Sequence, residues 1–239
     1  MQYNGAIRVS DKPQSIYNVF METGTKTPAI ILIVSVAILA GAVGFWFAQS
    51  SGRSEAAQHE QTLTQIGPLL GLPEPKILDE FSLYDHTGGE FNQSSLQGSW
   101  TLVFFGFTSC PHICPNTLFK LKTVVELLEG QLPEEQLPQV MLISVDPDRD
   151  TAEVLDQYRE RFGDTIITVS GEHEQLRAVA MDFGAHYVIP EHEAGEWYNV
   201  DHSISVHLLN PDAEWAGLLS APHEVEAMAE ALKTYIGDS

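Results

Sequence analysis

The stretch GFTSCPHICPNT, Gly106–Thr117, decides the fold and holds both cysteines of a 239-residue chain, Cys110 and Cys114. It follows directly on TLVFFGF (101–107), a short apolar run rich in β-formers that reads as a buried strand. Downstream, Leu118, Leu121, Val125 and Leu128 recur at helical spacing, and Pro115 suits the first turn of that helix. The two thiols therefore sit where a strand turns into a helix N-terminus. Unpaired amides and the helix dipole favour an anion there, so at least one thiol should ionise more readily than usual. Residues four apart share a helix face, with Cβ atoms about 5–6 Å apart. With a metal–sulfur bond of about 2.3 Å, one ion can bridge both sulfurs. A disulfide is open to the same pair if Cys110 lies just outside the first turn. A purely structural bridge would close a very short loop and so constrain the unfolded chain little.

Working outward, strand-like and helix-like segments alternate. FSLYDHTGGEF (81–91) turns on a Gly-Gly pair and reads as a small hairpin. QVMLISV (139–145), TIITV (165–169) and AHYVI (185–189) are further apolar runs, and SISVHLLN and EWAGLL flank a turn at Pro211-Asp212. Between them lie helical patterns: Val154, Leu155, Tyr158 and Phe162 after a possible Thr151 cap; Leu176, Val179 and Phe183; and Val225, Met228, Leu232 and Ile236. Alternation of this kind predicts an α/β domain, and the terminal hairpin makes its sheet mixed, with helices on its flanks.

The first 76 residues read differently. PAIILIVSVAILAGAVGFWFA (28–48) is uncharged and long enough for a single transmembrane helix. A cleavable signal peptide is the rival reading, though its apolar core would usually be shorter. Residues 1–48 carry a net +1 and the remainder −22, out of −21 overall. Basic residues mostly precede the apolar run, which predicts a short cytoplasmic N-terminus (1–27) and an exported remainder. Residues 49–76 read as a linker, and the soluble domain is expected over 77–239. So acidic a surface repels phosphate backbones and argues against nucleic-acid binding. With 44% hydrophobic residues the chain is not broadly disordered.

Three motifs in order, FGFTSCPHICP (105–115), SVDPDRDT (144–151) and VDHS (200–203), resemble the Sco/SenC family. The resemblance covers about Phe81 to Gly237, plus the anchor. It implies a thioredoxin-like fold, a copper ion held by Cys110, Cys114 and His202, and a role in assembling the CuA centre of cytochrome c oxidase subunit II. It also implies an inner-membrane anchor with the domain in the periplasm, the mitochondrial inner membrane being the alternative. Other periplasmic copper chaperones or thioredoxin-like reductants would be further partners. The motif departs from the common family pattern at Phe107, Ser109 and His112, where tyrosine, histidine and aspartate are usual. The donor types survive. Two thiolates and one imidazole form a soft set suited to Cu(I), and able to hold Cu(II) with a position open. Zinc would need a fourth donor, and His112 could supply it.

Nine histidines occur, and most should be solvated. His207 lies five residues beyond His202, so a regular strand would turn it to the opposite face. His112 could assist the site beside the thiols, and Asp201 could orient the His202 ring. The DPDRD element reads mainly as a turn and helix cap, with support of the site or docking of the partner secondary, and Trp197 and Tyr198 read as core rather than as an exposed aromatic surface for the oxidase subunit. The rival function is a thiol–disulfide oxidoreductase using Cys110 and Cys114 as a redox pair, although such enzymes usually space their cysteines by two residues, not three. A peroxiredoxin-type peroxidase fits less well, because Thr108 lies two residues before Cys110 rather than three. A copper-responsive sensor would use the same ligands without delivery.

Overall fold

The computed structural model describes residues 63–238 apart from 164 and 194. The N-terminal segment, the anchor expected over 28–48 and the start of the linker lie outside the described residues. Among the described residues no helix is long and apolar enough to cross a membrane.

The strands are β1 (Thr64–Ile66), β2 (Leu69–Lys76), β3 (Leu83–Asp85), β4 (Glu90–Phe91), β5 (Thr101–Gly106), β6 (Gln139–Ser144), β7 (Ile166–Ser170), β8 (Tyr187–Val188), β9 (Asp201–His202), β10 (Val206–Leu209) and β11 (Trp215–Leu219). The helices are α1 (Ile113–Leu128), α2 (Ala152–Arg159), α3 (His173–Asp182) and α4 (Val225–Gly237). Nine strands form one sheet in the order β1-β2-β11-β10-β5-β6-β7-β3-β4, while β8 and β9 pair separately. β5, β6 and β7 run parallel, and β10 runs antiparallel to both β5 and β11. This is the mixed, helix-flanked sheet expected of a thioredoxin-like domain.

Every residue of β5 is buried. Covered on both faces, that strand carries an unbroken apolar run rather than an alternating one. α1 packs against β6 and α4 against β2, and the two helices pack together. Phe105 of β5 meets Phe183 just beyond α3. Thr151 accepts a hydrogen bond from the Val154 amide and caps α2, as its place in the sequence predicts.

Residues 64–76, read from the sequence as linker, instead form the β1–β2 hairpin. Gly67, at φ 53°, makes the turn before Pro68. β2 then adds to the sheet beside β11. Its prolines, Pro73 and Pro75, lie beyond Gly71, where β1 no longer pairs with it. An edge tolerates the missing donors, which is why a proline-rich segment can still be a strand.

Topology places the site. β5 and β6 are parallel and in register from Thr101↔Gln139 to Gly106↔Ser144, so the turns that follow them share one rim. β10 runs the other way, with Val206 opposite Phe104, so the chain entering β10 arrives at that same rim. The cysteine turn, the DPDRD turn and the segment carrying His202 therefore converge from three distant parts of the sequence.

Candidate metal centre

Cys110 leaves β5 in a turn whose amide bonds back to the Phe107 carbonyl (3.3 Å), and Cys114 lies in the first turn of α1. Cys114 is fully buried and Cys110 is 9% exposed. Gly106 makes room for the deeper sulfur: a Cβ at that position would lie 2.9 Å from Cys114 Sγ. His202, half-buried in β9, reaches the pair from across the rim. Its Nε2 lies 3.4 Å from Cys114 Sγ, and the two sulfurs and this ring offer ligand atoms all within 4.8 Å of one another.

His202 Nδ1 faces the carbonyl of Ser203 at 2.9 Å. A carbonyl only accepts, so Nδ1 carries the proton and Nε2 turns its lone pair to the sulfurs. The ring stands edge-on to Phe104 and Phe107, with centroids 5.7 and 5.8 Å away. The backbone therefore orients the ring, a role open to Asp201 from the sequence: Asp201 is exposed, and its carboxylate makes no hydrogen bond among the described residues. His112 is the exposed N-cap of α1 and caps nothing with its side chain.

The two thiols are free and divided in character. Cys110 is held well below the usual thiol range, chiefly by a hydrogen bond from the Cys114 thiol, against the opposing effect of burial; the amides of Cys114 and His112 add to it. The Cys114 amide lies 3.4 Å from Cys110 Sγ. Cys114 is pushed up, as the partner that keeps the proton and by burial. The outer sulfur is thus the ready thiolate and the inner one the reserve thiol.

Asp146, Arg149 and Asp150 form more than a turn and cap: they take the site-supporting role that ranks second in the sequence. Asp150, fully buried, accepts from the Thr108 amide (2.8 Å), the Thr108 hydroxyl (2.6 Å) and the Ser144 hydroxyl. It fastens the cysteine turn to the end of β6 and engages the Thr108 hydroxyl. Burial raises its pKa, against these donors. Tyr198 is core, as expected, but Trp197 is 67% exposed. His207 lies on the opposite face from His202. It meets Phe105, whereas His202 meets the neighbouring Phe104, and successive strand residues point to opposite faces.

These features define a thioredoxin-like domain with a preformed Cys-Cys-His ligand set on one rim. The SCO1/SenC family model matches residues 72–237, and the chain belongs to that family. Similar proteins include the mitochondrial SCO2 homolog of Bos taurus, 31% identical over 207 residues, which are 86% of this chain and 74% of that protein. A protein of Stutzerimonas stutzeri named "Putative copper-binding protein" is 35% identical over 182 residues, covering 75% of this chain and 86% of its own length. Among solved structures, copper-bound ScoI of Arabidopsis thaliana superposes with a TM-score of 0.63 at 31% identity, covering 68% of this chain and 99% of that one. Copper-bound yeast Sco1 gives 0.64 at 26% identity, covering 69% and 91%.

Proposed function

We propose that this chain is a copper carrier that takes one ion at Cys110, Cys114 and His202. The observation that carries the reading is the spacing of the three donors. Bonds of about 2.3 Å to sulfur and 2.05 Å to nitrogen at trigonal angles put ligand atoms about 3.8–4.0 Å apart. The observed separations, 3.4 Å for one pair and none above 4.8 Å, bracket that value. Small side-chain shifts would close the set around an ion. Two thiolates and an imidazole suit Cu(I), with Cu(II) held where a further position stays open.

Copper is cargo here, and the site is graded for passing it on. Cys114 is enclosed, whereas Cys110 and His202 are the donors nearer solvent. Thiolates of an acceptor can approach from that side and displace the outer donors in turn. The family resemblance points to the CuA domain of cytochrome c oxidase subunit II as the acceptor. It also points to a single-pass inner-membrane protein whose domain faces the periplasm, with the anchor at residues 28–48.

The unequal thiols favour one second reading, reduction of the oxidase cysteines before loading. The Cys110 thiolate would attack one sulfur of the acceptor disulfide, breaking its S–S bond, forming a mixed disulfide and releasing the first acceptor thiolate. Cys114, losing its proton, would close on Cys110 and release the second acceptor thiolate, which takes up a proton. Two electrons pass to the acceptor and Cys110–Cys114 becomes the disulfide.

Titrating the purified, reduced full-length chain with Cu(I) separates the readings. Carrier function requires one equivalent bound, and His202→Ala should weaken binding by about 10-fold or more, as loss of a metal-site contact does. Absence of stoichiometric binding, or indifference to the substitution, overturns it. Disulfide reduction that survives His202→Ala unchanged would favour the second reading.

A further inference from the structure

The geometry points to Arg149 as a positioning residue that fixes the His202 segment at its distance from the sulfurs, acting through Tyr198 and Phe107. Its guanidinium makes three kinds of contact at once. Nε donates to Asp146 Oδ2 at 2.5 Å, and Nη1 donates to the Tyr198 carbonyl at 2.9 Å. The guanidinium carbon lies 3.6 Å from the centre of the Tyr198 ring and 5.5 Å from that of Phe107.

Tyr198 is gripped in turn. Its hydroxyl donates to Asp146 Oδ1 at 2.7 Å. The His192 ring stacks on it at 3.8 Å with 25° between planes. Two groups this close to one ring cannot share a face, so Arg149 and His192 sandwich it. A long segment between β8 and β9, with no regular structure, is thereby pinned to the turn after β6, four residues before His202. The second route is shorter: Arg149 packs on Phe107, and Phe107 stands against the His202 ring.

The DPDRD turn thus grips both halves of the ligand set. Asp150 holds the cysteine turn, and Arg149 with Asp146 holds the histidine segment. Asp146 is fully buried, and its two carboxylate oxygens are each taken, one by Arg149 and one by Tyr198. A planar fork is required, because one group must pair with a carboxylate, cap a carbonyl and stack on a ring. Lysine can make each contact singly but, lacking the planar fork, cannot make all three at once in this geometry.

The inference deepens the copper reading and is tested by one arm that depends on it and one that does not. In the first, Cu(I) affinity is measured by competition for Arg149→Lys and Tyr198→Phe, each in the otherwise native chain and in His202→Ala. Arg149→Lys keeps the charge facing Asp146, and Tyr198→Phe keeps the stack. Arg149→Lys should lower affinity about 10- to 100-fold in the native background. It should do almost nothing in the His202→Ala background, because its effect runs through that ring. Tyr198→Phe should show a smaller loss with the same dependence. Equal losses in both backgrounds, or no loss for Arg149→Lys in the native one, overturn the inference. If Arg149→Lys fails a thermal-unfolding check, Tyr198→Phe decides by the same criterion.

The second arm uses metal-free protein and the ring 15N signals of His202. The native chain should show one tautomer, protonated at Nδ1, and the variants a mixture. Unchanged signals overturn the positioning role. Should the native chain bind no Cu(I), the copper reading falls and this arm alone judges Arg149.

Discussion

His207 offers the most quantitative test of the packing. It is 2% exposed and ringed by Phe105, Phe183 and Trp215. Neither ring nitrogen has a hydrogen-bond partner among the described residues. Burial lowers its pKa from 6.5 to about 4. The folded chain therefore resists protonating a group that the unfolded chain protonates readily. Because the folded value is the lower one, the unfolded state binds more protons between the two, and stability falls as pH drops from about 6.5 toward 4. Below 4 both states are protonated and the loss levels off, at about 3 kcal/mol for a shift of this size. From pH 7.5 to pH 5 the loss should be about 2 kcal/mol.

His207→Phe removes the titrating group and puts a ring of similar shape in the same aromatic box. At pH 7.5 it should stabilise the domain by about 1 kcal/mol, since two unpaired polar atoms leave the core. Urea unfolding of the reduced chain and of the variant, at both pH values, isolates the effect, because the other ionisations largely cancel in the difference. The stability gap should widen by about 2 kcal/mol at the lower pH. A gap independent of pH would show that His207 protonates as easily folded as unfolded, and the account of its burial would be wrong.

Two further substitutions probe the support of the sulfurs. Gly106→Ala puts a methyl 2.9 Å from Cys114 Sγ; it should destabilise the domain by about 1–3 kcal/mol and weaken Cu(I) binding, measured by urea unfolding and competition titration. Asp150→Asn leaves one of three donors facing an amide NH2 instead of a carboxylate; it should cost about 2–3 kcal/mol and loosen the cysteine turn, seen as faster exchange of the Thr108 amide.

Much of this protein could be read along the chain because the relevant physics is local. A buried apolar run, a proline and a helical repeat around Cys110 and Cys114 specify strand, turn and helix without reference to anything remote. Motif order was enough to single out His202, and a five-residue offset was enough to turn His207 away from it. The hairpin at 64–76 was missed because proline and glycine signal a loop, and only pairing with β11 makes an edge strand of that segment. Adjacency in sequence makes Asp201 a candidate orienter; the Ser203 carbonyl does the work because the chain leaving β9 brings it within 2.9 Å of Nδ1. Arg149, Asp146 and Asp150 looked like a turn with a cap since their partners, Tyr198 and Thr108, lie 49 and 42 residues away from Arg149 and Asp150 respectively. Donor identity is a property of the residues themselves. Donor spacing depends on the parallel register of β5 with β6 and the reversed course of β10, and no local pattern encodes a distance between segments 88 residues apart.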